Sequence, residues 1–152
     1  MKKIIPFLWF DTQAEEAMNF YVSIFKNSKV GSISRGPDGK VFTVTFELDG
    51  QEFMALNAGP QFKFNEAVSF FVRCETQEEV DYFWEKLTAD GGEESMCGWL
   101  KDKYGLSWQI VPTRLGQLMG DPDQVKAGRV MQAMLKMHKI IVADLQAAHD
   151  SK

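Results

Sequence analysis

The sequence predicts an α+β fold built from two paired βαβββ modules and closed by a helical tail. Three observations carry this reading: an internal repeat, three strand-like segments after each repeated helix, and a change of pattern at Thr113. Residues 7–21 (FLWFDTQAEEAMNFY) match residues 70–84 (FFVRCETQEEVDYFW) at an offset of 63. Phe7 falls on Phe70, Glu15-Glu16 on Glu78-Glu79, and Phe20-Tyr21 on Phe83-Trp84. Self-similarity at a fixed period, with the same element order on both sides, reads as a duplication.

Each copy opens with a short aromatic and aliphatic run suited to a buried strand. Each then reaches Thr-x-x-Glu, Thr12 with Glu15 and Thr76 with Glu79, a pattern that satisfies the free amides of a first helical turn. These caps align at 64 rather than 63, which leaves one residue of slack between cap and helix body. Ala14, Ala17, Met18, Tyr21 and Phe25 form one apolar helix face, and Val80, Phe83, Trp84 and Leu87 form its counterpart. Strands are expected at Lys29–Arg35, Val41–Leu48 and Gln51–Asn57, with Asp49-Gly50 as a two-residue hairpin turn. In the second copy Gly91-Gly92 breaks the chain before strands at Glu93–Met96, Cys97–Asp102 and Leu106–Pro112. Residues 1–58 and 66–112 are thus the modules and 113–152 the tail, together one compact domain. In the tail Asp121-Pro122 opens a helix, with Asp as cap and Pro at the first helical position. Val125, Val130, Met131, Met134 and Leu135 give it an apolar stripe, and a second helix runs from Lys139 to about Ala148.

At 152 residues, with 45% hydrophobic residues, 12 Phe and 4 Trp, the chain is long enough to bury a real interior. A net charge of -4 argues against nucleic acid or an anionic membrane as partner, since both require a basic surface. No apolar run approaches the roughly 18 to 20 residues of a membrane span. The start MKKIIPFLWF is too short in its apolar part for a secretory signal. Two cysteines make no disulfide framework, so a cytoplasmic setting is expected.

The stretches IIPFLWF, AEEAMNFYVSIF, FMALNAGPQFKFNEAVSF, EEVDYFWEKL, CGWLKDKYGLSWQIVP and GDPDQVKAGRVMQAMLKMHKI closely resemble the PhnB-like family labelled 3-demethylubiquinone-9 3-methyltransferase. That family lies within the vicinal-oxygen-chelate superfamily, alongside glyoxalase I, extradiol dioxygenases and antibiotic-resistance binding proteins. The resemblance implies a glyoxalase/bleomycin-resistance-like fold in which each module curls into half of a cleft. It also implies that metal-dependent members hold their ion from four symmetric positions on the first and last strands. Counting back about fourteen residues from the helix aromatic pairs carries the first-strand positions onto Pro6 and Ser69. Counting four residues on from Gly50 and Gly105 carries the last-strand positions onto Met54 and Gln109.

Proline offers no donor atom, methionine suits soft metals only, and a hydroxyl and an amide are weak partners without carboxylates. The only histidines, His138 and His149, sit in the tail without a ligand spacing. No cofactor is therefore expected, a divalent metal being the alternative. Gln109 is read as a hydrogen-bonding group for an organic ligand, or as an amide satisfied by neighbouring backbone. The methyltransferase label implies S-adenosylmethionine, but the usual glycine-rich loop is missing: the first strand runs into Phe10-Asp11-Thr12-Gln13, with no glycine before Gly31.

Strand alternation extends the cleft. Thr43, Thr45, Met54 and Leu56 face it if Phe46 and Phe53 face the helix. Pro6, Leu8 and Phe10 are placed there from the first strand, and Ala67, Ser69, Phe71 and Arg73 from its counterpart. Ser107, Gln109 and Val111 complete it, while a one-residue uncertainty in the KDKYG turn leaves Trp99 in cleft or core. Ser69 has no histidine or lysine base beside it, so no catalytic residue is assigned. Cys97 reads as an inert small apolar residue. Arg73 is either solvated or a partner for a ligand anion. Phe62 and Phe64 close the cleft or pack in the linker, and Met131, Met134 and Met137 serve core or interface. The function expected is a metal-independent small-molecule binding protein. The alternatives are a metal-dependent lyase, isomerase or dioxygenase, and, more remotely, a methyltransferase. A homodimer is expected because the tail's apolar face exceeds what a small domain buries alone.

Overall fold

Asp49 and Gly50 both take left-handed backbone, at φ 50° and 77°. That turn folds β3 (Val41–Leu48) directly onto β4 (Gln51–Asn57), at the boundaries the alternation predicts. In the computed structural model, which describes residues 2–152, Met1 of the expected first module lies outside the described residues. The chain divides into two compact units, one up to Phe64 and one from Asn65 on.

The first unit holds β1 (Phe7–Phe10), α1 (Ala14–Ile24), β2 (Lys29–Arg35), β3 and β4, in the sheet order β1-β4-β3-β2. β1 runs parallel to β4 and the other pairs are antiparallel. Val44, Phe46, Leu48, Phe53 and Ala55 point to the helix side and are buried with Ala14, Ala17, Met18, Tyr21 and Ile24. The ring of Phe46 stacks on Phe53 at 5.4 Å and on Tyr21 at 6.3 Å. The β2–β3 register shifts between Val30 and Ile33, across Gly31, where a side chain would collide with Thr45.

α1 corrects one expectation. Thr12 is not its cap: Gln13 holds that position without a side-chain hydrogen bond, and Asn57 Oδ1 accepts from the Ala14 N–H at 2.8 Å instead. Asn57, at the end of β4, also donates to the Val41 carbonyl. The second helix keeps its local cap, Thr76 Oγ1 accepting from Glu79 N–H at 3.2 Å while Glu79 accepts from Glu75 N–H.

The second unit repeats the topology with β5 (Ser69–Cys74), α2 (Gln77–Thr88), β6 (Glu93–Glu94), β7 (Trp99–Lys101) and β8 (Ser107–Pro112), ordered β5-β8-β7-β6. β6 and β7 are shorter than the expected 93–96 and 97–102, because Cys97 and Gly98 spend their amides on the tail. They donate to the carbonyls of Met137 and His138, both at 2.8 Å. Asp102, only 2% exposed, anchors the β7–β8 turn. It accepts from the amides of Tyr104 and Leu106 and from Trp108 Nε1, at 2.9, 3.1 and 2.9 Å.

The tail forms α3 (Thr113–Met119), α4 (Gln124–Met134) and α5 (Val142–Asp150). The first of these was not expected separately, and the cap of α4 is Asp123, accepting from Val125 and Lys126 amides, rather than Asp121. Leu115, Leu118, Val130, Ile140 and Leu145 form a buried cluster, with Val111, Met134 and Met137 packed against it. The predicted stripe is thus split: Val130 is buried and Met134 partly so, whereas Val125, Met131 and Leu135 are exposed. Gln77 ties the tail to α2, donating to Ile140 O at 3.0 Å and accepting from Val142 N–H at 2.7 Å. Among the described residues no helix is long and apolar enough to cross a membrane.

Candidate functional site

Parallel pairing puts register partners on one face of a sheet. In the second unit β5 and β8 match Ser69 with Ser107, Phe71 with Gln109 and Arg73 with Val111. β7 adds Trp99 beside Gln109 and Lys101 beside Ser107. One face is therefore core, with Cys74, Leu100, Trp108 and Ile110 buried under α2. The other carries Ser69, Phe71, Arg73, Gln109 and Trp99, the residues expected from alternation, and it resolves Trp99 onto the side of Gln109.

Gln109 stands in the middle of this open face, half-buried, with Phe71 on one flank and Trp99 on the other. Its Nε2 donates to Ser69 Oγ at 2.9 Å, so its partner is a side chain and not the backbone. Ser107, next to Ser69 in register, is 1% exposed, and its hydroxyl has no hydrogen-bond partner. Such a group costs about 1–3 kcal/mol when left unmatched. Lys101 is held by Glu66 at 2.9 Å; the contact lowers the Glu66 pKa and raises that of Lys101. Arg73 is exposed at the end of the row, where β5 runs out toward α2.

The first unit corrects the sequence reading by one residue. β1 pairs Phe7 with Met54 and Trp9 with Leu56, so Phe7 and Trp9 share the open face with Thr43, Thr45, Met54 and Leu56. Leu8 and Phe10 point the other way, into the core, at 6% and 3% exposure. Pro6 shares their parity and presents its carbonyl, which accepts from Met54 N–H at 2.9 Å. The cause lies in the repeat itself. Matching Met54 to Gln109 makes Phe7 the counterpart of Phe71, an offset of 64, whereas the helix bodies match at 63, Tyr21 with Trp84. The slack lies between strand and helix, and a count made from the helix aromatics misses the strand face by one position. Trp9 is fixed by Nε1 donating to Gly59 O at 3.0 Å and by Phe62 meeting it edge-on at 4.8 Å. Phe64 meets Phe10 at 5.3 Å. Hydroxyl pairs line the far side of this face, Ser34 with Thr43 at 2.6 Å and Ser32 with Thr45 at 3.0 Å.

These donor sets do not fit a hard divalent ion. In one unit the pair is Ser69 and Gln109, already bonded to each other, and in the other it is the Met54 thioether alone, Pro6 having the parity of the core-facing Leu8 and Phe10. Among the described residues no three His, Cys, Asp or Glu side chains gather so as to hold a metal. Both cysteines are free thiols. Burial, with Glu79 and Glu75 nearby, pushes the Cys74 thiol up to about 12, which makes it inert.

One feature was not legible beforehand. A groove of about 780 Å³ in the first unit is lined by Asp11, Glu15, Asp38, Lys40, Phe42 and Asn57. It joins the start of α1 to the β2–β3 loop, residues too far apart in sequence for any local pattern to connect.

Two βαβββ units, each a four-stranded mixed sheet with one covering helix, define a vicinal-oxygen-chelate protein of the glyoxalase/bleomycin-resistance-like fold. The family model described as 3-demethylubiquinone-9 3-methyltransferase matches residues 2–111, and the chain belongs to this PhnB-like family. A PhnB protein from Bacillus cereus carrying the same methyltransferase description is 43% identical, with a TM-score of 0.68 over 73% of this chain and 99% of that one. Protein PA1353 from Pseudomonas aeruginosa is 15% identical, with a TM-score of 0.61 over 74% and 98%. A mutant of the fosfomycin resistance protein FosX from Listeria monocytogenes, complexed with Mn(II) and a dihydroxypropylphosphonic acid, is 16% identical, with a TM-score of 0.52 over 72% and 92%. The last two share the fold alone. No protein of curated function matches significantly.

Proposed function

We propose that the chain is a small-molecule binding protein that works without a metal, its ligand lying on the open face of the β5–β8 sheet. The observation that carries this reading is the neutral Ser69–Gln109 pair set between Phe71 and Trp99. A few polar groups among aromatic and aliphatic side chains are the usual composition of a small-molecule site. Phe71 is a large ring left 55% exposed on this face. On the first sheet Phe7, Trp9, Met54 and Leu56, with the Thr43 and Thr45 hydroxyls, make a second mixed surface of the same kind.

Mass spectrometry of gently purified protein tests the reading. The expected result is an organic molecule that is retained after treatment with a chelator and lost in Gln109→Ala. Stoichiometric metal, released by Gln109→Ala, would establish instead a metal-dependent lyase, isomerase or dioxygenase, the reading that the Mn(II) complex of FosX favours. A thermal shift on adding S-adenosylmethionine would support the methyl transfer named in the family description. A homodimer is part of the proposal, with Met131 near the end of α4 and Leu135 just beyond it exposed as its apolar surface. A monomer mass on sizing would remove that part.

A further inference from the structure

Building on the β5–β8 face as a ligand site, we propose that its ligand is an uncharged planar ring carrying a hydrogen-bond donor and acceptor side by side. Such an edge belongs to a carboxamide, a lactam or an aminated heterocycle.

The flat dimension comes from the strand spacing. Phe71 and Trp99 are the register partners of Gln109 on its two sides. Adjacent strands lie about 4.8 Å apart, which sets the two aromatic residues about 10 Å apart across Gln109. Two aromatic contacts at centroid separations of about 4.5–7 Å fill that span with one ring between them.

The edge chemistry comes from Gln109 and the two serines. One Gln109 N–H is spent on Ser69 Oγ, leaving the carbonyl oxygen as acceptor and the second N–H as donor. Ser69, accepting there, keeps its own hydrogen to donate. Side-chain amides match a donor–acceptor edge with two hydrogen bonds, as they do on adenine. Ser107 supplies the independent sign of a ligand. Its hydroxyl is buried, unmatched, beside Ser69 in register and on the same face as Gln109. The charge is selective too. Lys101, in this row, is held by Glu66, and Arg73 lies at the row's end beside Val111, so both register partners of Gln109 are aromatic and neither is a cation. A carboxylate would set its oxygen against the Gln109 carbonyl, two acceptors facing each other.

The test uses the full chain and three probes of similar size: benzamide, benzoate and toluene. Binding is read by thermal shift and calorimetry, and Trp99→Phe identifies the indole signal that responds. Benzamide is expected to bind tenfold or more tightly than toluene, and benzoate more weakly than benzamide. Gln109→Leu should reduce the benzamide preference to near parity, and Ser107→Ala should lower benzamide affinity severalfold while leaving toluene unchanged, with circular dichroism showing that each variant folds. Benzoate binding as well as benzamide, or an unchanged benzamide-to-toluene ratio in both variants, would overturn the proposal. Toluene binding at Trp99 without any amide preference would overturn the ligand class yet leave the binding-protein reading standing. No binding of any probe, together with a co-purified ligand of another chemistry, would do the same.

Discussion

The two units share a strand order but secure their ends in opposite ways. In the first, the strands are long, the hairpin turn is two residues, and β2 is exposed along its whole length. Its helix borrows a cap from the far end of the sheet, through Asn57. In the second, β6 and β7 are two and three residues long, and the deficit is made up by a buried aspartate in the turn and by tail backbone alongside Cys97 and Gly98. Its helix caps itself. A duplicated topology thus tolerates different supports as long as the strand registers survive, and it is the register that places Phe71, Gln109 and Trp99 together.

The largest break in this comparison is expected in the turns. Asp102→Ala strands two backbone amides and an indole N–H in the interior and should cost the second unit about 4 kcal/mol in urea unfolding. Asp49→Ala, at the corresponding turn of the first unit, should cost no more than about 1 kcal/mol, the strain of a left-handed residue on the surface. Next comes the tail. Leu145→Ala, fully buried with Val130 and Ile140, should lose about 3 kcal/mol, with amide exchange accelerating in β7 and β8 while β3 and β4 stay protected. The caps sharpen the comparison further: Asn57→Ala should cost about 1.5 kcal/mol and Thr76→Ala about 1 kcal/mol.

The smallest effect is a pH dependence confined to the second unit. His149 donates or accepts at both ring nitrogens, Nδ1 with Asp150 at 2.9 Å and Nε2 with Asp121 at 2.7 Å. Arg129 binds the carbonyls of Ala148 and His149, and Lys126 lies near both carboxylates. The hydrogen bonds to Asp150 and Asp121 raise the His149 pKa above 6.5. Its contribution is therefore complete below 6.5 and lost as pH rises through the raised value. Asp121, held by the Asp123 amide and His149, and Asp150, held by His149, are lowered below 3.8, so their contribution is present above 3.8 and lost in stronger acid. His149→Gln should flatten the upper limb of a stability–pH curve; an unchanged limb would remove His149 as its source.

Much of the architecture was legible because it is local. Val41–Leu48 and Gln51–Asn57 alternate cleanly about Asp49-Gly50, and both their limits and their faces follow. Phe7–Phe10 has no polar residue to break the symmetry between faces, so Leu8 and Phe10 were assigned to the side that Phe7 and Trp9 occupy. Thr12 was credited with a cap because it has the right spacing, but Asn57, 43 residues beyond Ala14, is invisible to a local pattern. Trp99 needed the observed β7–β8 register. Of the expected site residues, Thr45, Met54 and Leu56 share one open face and Ser69, Phe71, Arg73, Trp99 and Gln109 the other. Alternation was sound wherever a turn or a polar residue set its phase.

The Asn57 contact also bears on the order of assembly. α2 carries its own start signal within four residues, whereas α1 gains its terminal partner only after β4 has closed beside β1. The start of the amino-terminal helix is thereby stabilised only once its sheet has closed, so loosening β4 loosens α1 with it.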